Sequence, residues 1–240
     1  MSYPILSATG IAVIGLTVLA VGKTGPEQDH AQATSQIDHV IVAISDLEMG
    51  MQLFEELSGV HPVFGGKHPG AGTQNALVSL GPRVYLEILA PQSEAELPPD
   101  RVGLLQMAEL TPMGWAASTM DVANTIALLQ REQYVTTDAA PGSRAKPDGT
   151  TLKWSTMGIF EPAIVGAPFF IQWDAGSAHP ATTSPQGCRL ESFSVTTNSA
   201  AALRDLVALL QLNVLVEESS VPAEQYQLVL KCPKGRVTLE

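Results

Sequence analysis

His39 and Glu87 are the side chains whose type and setting best suit them for chemistry. His39 lies in IDHVIVAI, where alternation puts His39, Ile41 and Ala43 on one strand face and Asp38, Val40, Val42 and Ile44 on the other. Glu87 lies in RVYLEILAP, with Tyr85, Glu87 and Leu89 sharing a face. A neutral imidazole and a carboxylate brought to one cavity can exchange protons with a substrate, or can together ligate a first-row divalent ion. The same two residues also make an ordinary buried hydrogen-bonded pair.

Further candidates sit in loops and on a neighbouring strand. His68 is in KHPGAGT, between glycines that let the backbone come close to a ligand, and His179 is in AHPATTSP. Either can orient a substrate or act as a surface residue. Asn75 and Ser79 share a strand face with Leu77, and Trp173 adjoins Gln172; Trp115 and Trp154 read as core. An apolar cavity with a few placed polar groups is the expected form of such a site. GKTG (22–25) lacks the rest of a phosphate-binding loop, and no serine elbow or paired CxxC occurs.

The elements that must position these residues follow a strand–helix–strands pattern. After the strand at 37–44, Ser45 and Glu48 form a capping box, and Leu47, Met51, Phe54 and Leu57 make a helical stripe ended by Gly59. A Gly/Pro-rich turn over 65–72 precedes strands at 75–80 and 83–89. The pattern returns after a connector (91–112), with a strand at 114–119, a helix capped by Asp121, and strands at 150–156 and 168–173. It recurs a third time: a strand at 189–197, a helix capped by Asn198 or Ser199, then strands at 213–217, 226–230 and 236–240. RVTLE (236–240) matches RVYLE (83–87) at four of five positions, as a duplicated unit would.

The segments DHVIVAISDL (38–47), GGKHPGAGTQNALVSLG (65–81), YLEILAP (85–91), GWAAST (114–119), PGSRAKPDGTTLKW (141–154), PFFIQWD (168–174) and CRLESFSVTT (188–197) resemble a glyoxalase-like domain of the vicinal oxygen chelate superfamily. The resemblance implies an α+β fold of repeated βαβββ modules building a half-barrel or barrel, here with three module copies. Residues 37–90 and 112–174 would form the glyoxalase-like domain and 188–240 the third module, flanking the barrel or completing one in a homodimer. It also implies divalent-metal-assisted isomerase or lyase chemistry on a small oxygenated molecule, with Mn, Fe, Co, Ni or Zn. The ligands would be His39 and Glu87, with Gln172 or Glu240 as a third, and Glu87 would double as the base. The vacancy opposite His39, held by Gly114 or Trp115 and by Ser192, favours the alternative of a metal-free protein that sequesters a small ligand. Within that cavity His68, Asn75, Trp173 and His179 would contact the substrate.

Composition narrows the partners. With 13 basic and 24 acidic residues the 240-residue chain carries a formal charge of −11, which disfavours nucleic acid and anionic membrane surfaces. Residues 1–22 have no charged side chain and read as a signal peptide, an N-terminal anchor, or a helix packed on the fold of a cytoplasmic protein; 23–36 read as a flexible spacer. Cys188 and Cys232 are too few for a disulfide framework, and read as two small thiols or, in an exported protein, as one pair.

Overall fold

A computed structural model of the chain describes residues 36–68, 70–92, 97–146, 148–221 and 224–240. The signal-peptide, anchor and spacer readings for residues up to 35 lie outside them. Among the described residues, no helix is long and apolar enough to cross a membrane.

The first module runs β1 (Gln36–Ala43), α1 (Leu47–Ser58), β2 (Val63–His68), β3 (Thr73–Gly81) and β4 (Val84–Pro91). Helix α1 forms because Leu47, Met51 and Phe54 recur at helical spacing and are all buried. Full burial of Phe54 alone is worth about 2–3 kcal/mol. Its cap is Asp46 rather than Ser45: the carboxylate accepts from Met49 N at 2.8 Å. Gly59 ends the helix in the left-handed region, φ 79°, as its lack of a Cβ allows. Leu57, expected inside, is 49 % exposed, and Gly50 and Ser58 are buried instead. The Gly/Pro turn expected over 65–72 also begins later than its composition suggests. Strand β2 runs through Gly65 and Gly66 to His68, bulged between Phe64 and Gly66.

The second module runs β5 (Thr111–Ser118), α2 (Val122–Arg131), β6 (Val135–Thr136), β7 (Ala140–Ala145), β8 (Thr151–Met157), β9 (Ile159–Glu161) and β10 (Phe169–Trp173). Strands β6 and β9 pair only with each other, as a side ribbon. The others join the first module in an eight-stranded sheet of order β2-β3-β4-β1-β5-β10-β8-β7. The two modules therefore repeat one strand order, and their first strands meet antiparallel at the centre. The rims β2 and β7 come back towards each other. A Cβ on Gly66 would stand 2.8 Å from the Ala145 carbonyl oxygen, so glycine is what lets them approach. The result is the expected α+β architecture with a nearly closed barrel.

The remaining chain holds a short helix, α3 (Pro180–Thr183), then β11 (Arg189–Thr197), α4 (Ala200–Leu209), β12 (Leu215–Glu218), β13 (Glu224–Cys232) and β14 (Gly235–Leu239). The order of elements repeats the first module, but the pairing does not. This sheet runs β12-β11-β13-β14, so β14, which carries the RVTL of RVTLE and ends before Glu240, is an edge strand paired only with β13. In the first module the corresponding strand, β4, lies beside β1. The four-stranded sheet and α4 pack on the outer side of the barrel, where Phe193, Val195, Leu203 and Leu206 share one apolar core with Val40, Leu86 and Phe54. Cys188 and Cys232 form a disulfide across the start of β11 and the end of β13.

Candidate active site

The barrel encloses a cavity of about 780 Å³, and its floor is the inner face of β1, β4 and β3. His39, Tyr85, Glu87, Leu89 and Asn75 all line it, as strand alternation predicts. Parallel pairing places His39 opposite Tyr85, and the two rings stack at 4.6 Å. His39 Nε2 then stands 3.5 Å from Glu87 Oε2, so the central pair read from the sequence does meet.

Asp38 is where the sequence pattern misleads. Simple alternation turns it to the opposite face from His39. In β1 the pairing with β5 slips between Ile37 and His39, so Asp38 is the extra residue of a bulge. Its fully buried carboxylate takes three donors: His39 Nδ1 at 2.8 Å on Oδ1, and His179 Nε2 and Trp173 Nε1, each at 3.1 Å, on Oδ2. Burial favours the protonated acid, but the hydrogen bonds from His179 and His39, with their charges, outweigh it and bring the pKa down to about 2. An ionised Asp38 fixes the proton of His39 on Nδ1 and leaves Nε2 facing Glu87 and the cavity.

Glu87 is braced on its other side. Asn75 Nδ2 donates to Oε1 at 2.7 Å and to His68 Nε2 at 3.2 Å, while Asn75 Oδ1 accepts from Arg144 Nη1 at 2.5 Å. The guanidinium has only donors, which settles which end of the amide faces Glu87. Burial pushes the Glu87 pKa up, yet His68, His39, the Asn75 bond and Arg144 more than compensate, and the carboxyl is held ionised. His68 is displaced the other way, downward, chiefly by burial against the pull of Glu87, so its ring is neutral near pH 7. Its Nδ1 faces Thr73 Oγ1 at 3.0 Å.

Three expected contributors lie elsewhere. Gln172 belongs to the outward face of β10, where its Oε1 accepts from Val122 N at 2.8 Å and satisfies the first turn of α2. Ile171 and Trp173, on either side of it, are the residues that turn inward. Glu240 is exposed on the outer sheet and accepts from Gln227 Nε2. His179, expected against the substrate, is 8 % exposed and sits behind Asp38 as a brace, with Nδ1 accepting from Ala181 N. Asn75, His68 and Trp173 do line the cavity, as does Trp154, which reads as core from the sequence. Arg144 was missed altogether. The signal for Asp38 was its adjacency to His39; for Arg144 it was a lone charge in a small-residue strand.

A divalent ion needs several free lone pairs aimed at one point. His39 Nε2 and Glu87 Oε2 meet that need. On the third side, the amide protons of Asn75 stand between Glu87 Oε1 and His68 Nε2, where an ion joining those two would sit. Among the described residues no group of three or more His, Cys, Asp or Glu is arranged to hold a metal ion. The arrangement thus does not fit the expected Mn, Fe, Co, Ni or Zn centre, with Gln172 and Glu240 both turned away. What it does fit is proton transfer between a carboxylate and an imidazole.

The family model described as "Glyoxalase-like domain" matches residues 37–210. No curated protein matches the chain. Among solved structures, a hypothetical protein from Staphylococcus aureus aligns with a TM-score of 0.64 at 14 % identity, covering 86 % of this chain and 99 % of its own. Methylmalonyl-CoA epimerase from Mycobacterium tuberculosis aligns with a TM-score of 0.42 at 17 % identity, covering 60 % of this chain and 89 % of its own. From its sequence match and the paired modules of its barrel, the chain belongs to the glyoxalase-like domain family of the vicinal oxygen chelate superfamily.

Proposed function

We propose that the protein is an isomerase- or lyase-type enzyme that takes a small oxygenated molecule into the barrel and moves a proton on it. The observation that carries this reading is the opposed pair on the cavity floor. Glu87 and His39 face each other across 3.5 Å, each fixed by a hydrogen-bonded partner, Asn75 for Glu87 and Asp38 for His39. In this reading Glu87 takes the proton from a carbon next to a carbonyl, and the electron pair of the broken C–H bond moves onto the carbonyl oxygen as an enolate. His39, in the form that carries a second proton on Nε2 while Asp38 holds Nδ1–H, donates to that oxygen. Return of the proton to the same or the adjacent carbon completes an isomerisation, and departure of a β-substituent completes an elimination.

Glu87 is poorly hydrated in its pocket, which raises its reactivity towards a C–H bond without neutralising it. Tyr85, stacked on His39, keeps the ring upright; burial lifts its own pKa well above the usual value, so it stays a neutral phenol. The disulfide supports an oxidising compartment as the place of work, in keeping with export.

The test is solvent exchange. A panel of 2-oxo acids, hydroxyketones and ketones is incubated with enzyme in D2O, and loss of the C–H signal next to the carbonyl is followed by proton NMR. Wild-type protein should exchange at least one member, and Glu87→Gln should not. Molecules that raise the melting temperature but never exchange would leave the sequestering protein as the function.

A further inference from the structure

Arg144 is the one buried residue of β7, whose other side chains are exposed or half-exposed. It is 4 % exposed and lines the cavity. Among the described residues it donates one hydrogen bond, from Nη1 to Asn75 Oδ1, and it forms no ion pair. Among the described residues, none of its remaining donor atoms is sealed off without a partner, and the side chain lines the cavity. Burying a guanidinium without a carboxylate beside it is costly, and Glu87 is separated from it by the Asn75 amide.

The surroundings are shaped to admit this side chain. A Cβ on Gly65 would collide with Arg144 Nη1 and Asn75 Oδ1. One on Gly66, at φ 144°, would come within 3.0 Å of Arg144 Cγ and Cδ. The adjacent glycines of β2 therefore clear the space in which the guanidinium lies. Trp154, Phe169, Ile171, Met113 and Leu104 supply apolar lining to the same cavity.

We infer that the substrate is an organic monocarboxylate with an apolar body, its carboxylate held by the free edge of Arg144. This rests on the proton-transfer reading for what happens next, but not for the binding itself. A guanidinium edge presents two parallel N–H bonds that match the two oxygens of a carboxylate. The ionised Glu87 one amide away disfavours a doubly charged phosphate. That same spacing, one amide and two hydrogen bonds of 2.5 and 2.7 Å, puts the reacting carbon within two or three bonds of the carboxylate. A cavity of about 780 Å³ is far larger than such a headgroup, so the rest of the molecule lies along the tryptophans.

The probes are phenylpyruvate, 4-methyl-2-oxopentanoate and 2-phenylpropionate, each compared with its methyl ester, with inorganic phosphate as a further arm. Binding is read by calorimetry and by the fluorescence of the cavity tryptophans. At least one acid should bind about tenfold or more tightly than its ester, and Arg144→Met should abolish that preference while leaving ester affinity within about twofold. Arg144→Lys keeps the charge and should retain part of the preference, which guards against a folding defect in the methionine variant. Acids and esters that bind alike, or an acid preference that survives Arg144→Met, would overturn the inference; so would phosphate displacing every acid, or no acid binding at all. Binding through Arg144 with no C–H exchange in any acid would instead overturn the catalytic reading and leave this one standing.

Discussion

Replacing Asp38 by Asn tests the logic of the site most directly, because the change is nearly isosteric and its consequences are numerical. Three N–H donors converge on two carboxylate oxygens, from His39, His179 and Trp173. An amide offers one acceptor oxygen and one NH2, so at least one buried donor must then face another donor. Exchanging charge-assisted hydrogen bonds for neutral ones, with either a donor left unpaired or the His39 ring forced into its other tautomer, costs about 3 kcal/mol. For a fold of this size that corresponds to a fall in melting temperature of about 10 °C. Chemically, His39 escapes the clash by moving its proton to Nε2, which removes the lone pair facing Glu87 and the preference for a second proton there. His39 can then donate only as a neutral imidazole, without the charge that an ionised Asp38 supports, and exchange activity should drop by a factor on the order of 10². Urea unfolding, the D2O exchange rate and 15N shifts of the His39 ring give independent readings. An Asn variant that melts within about a degree of wild type, keeps Nδ1 protonated and retains its rate would refute the account of the Asp38 cluster.

Acid should weaken the fold through the same group. The folded pKa of Asp38 is about 2, below its ordinary value of 3.8, so its contribution is complete above about pH 4 and disappears as pH falls towards 2. Linkage sets the loss at about 2 kcal/mol, readable by comparing urea midpoints across that window in wild type and Asp38→Asn, where the step should vanish. Glu87→Gln should abolish exchange yet change stability by less than about 1 kcal/mol, since the new amide oxygen can still accept from Asn75; a large stability loss would make Glu87 structural. Gly65→Ala should cost about 2 kcal/mol or more and shift Arg144, visible as lost affinity for carboxylates in calorimetry. Opening the Cys188–Cys232 bond, which spans 44 residues, by a double Ala substitution should cost up to about 4 kcal/mol on the chain-entropy model; an unchanged urea midpoint would show that the outer sheet needs no such tether.

The sequence alone determined the parts of this protein that depend on local periodicity. Alternation in β1 and β4 put His39, Tyr85 and Glu87 on inward faces, and helical spacing with a terminal glycine outlined α1. The first two modules were legible because each repeats one pattern of strand, helix and strands. What the tertiary structure decided were matters of register and partner, which periodicity cannot encode. One extra residue in β1 turns Asp38 from the helix side to His39, and nothing within eight residues of sequence announces a bulge. Glu240 shares its local motif with Glu87 but follows an edge strand of another sheet, because pairing depends on which strand arrives beside it. Gln172 fell one residue out of phase with the cavity, where a helix start claims its oxygen. Arg144 and His179 come to the site across separations of 69 and 141 residues, to Asn75 and Asp38. Only the approach of the barrel's rims, which Gly66 allows, and the space left by Gly65 bring Arg144 to its place.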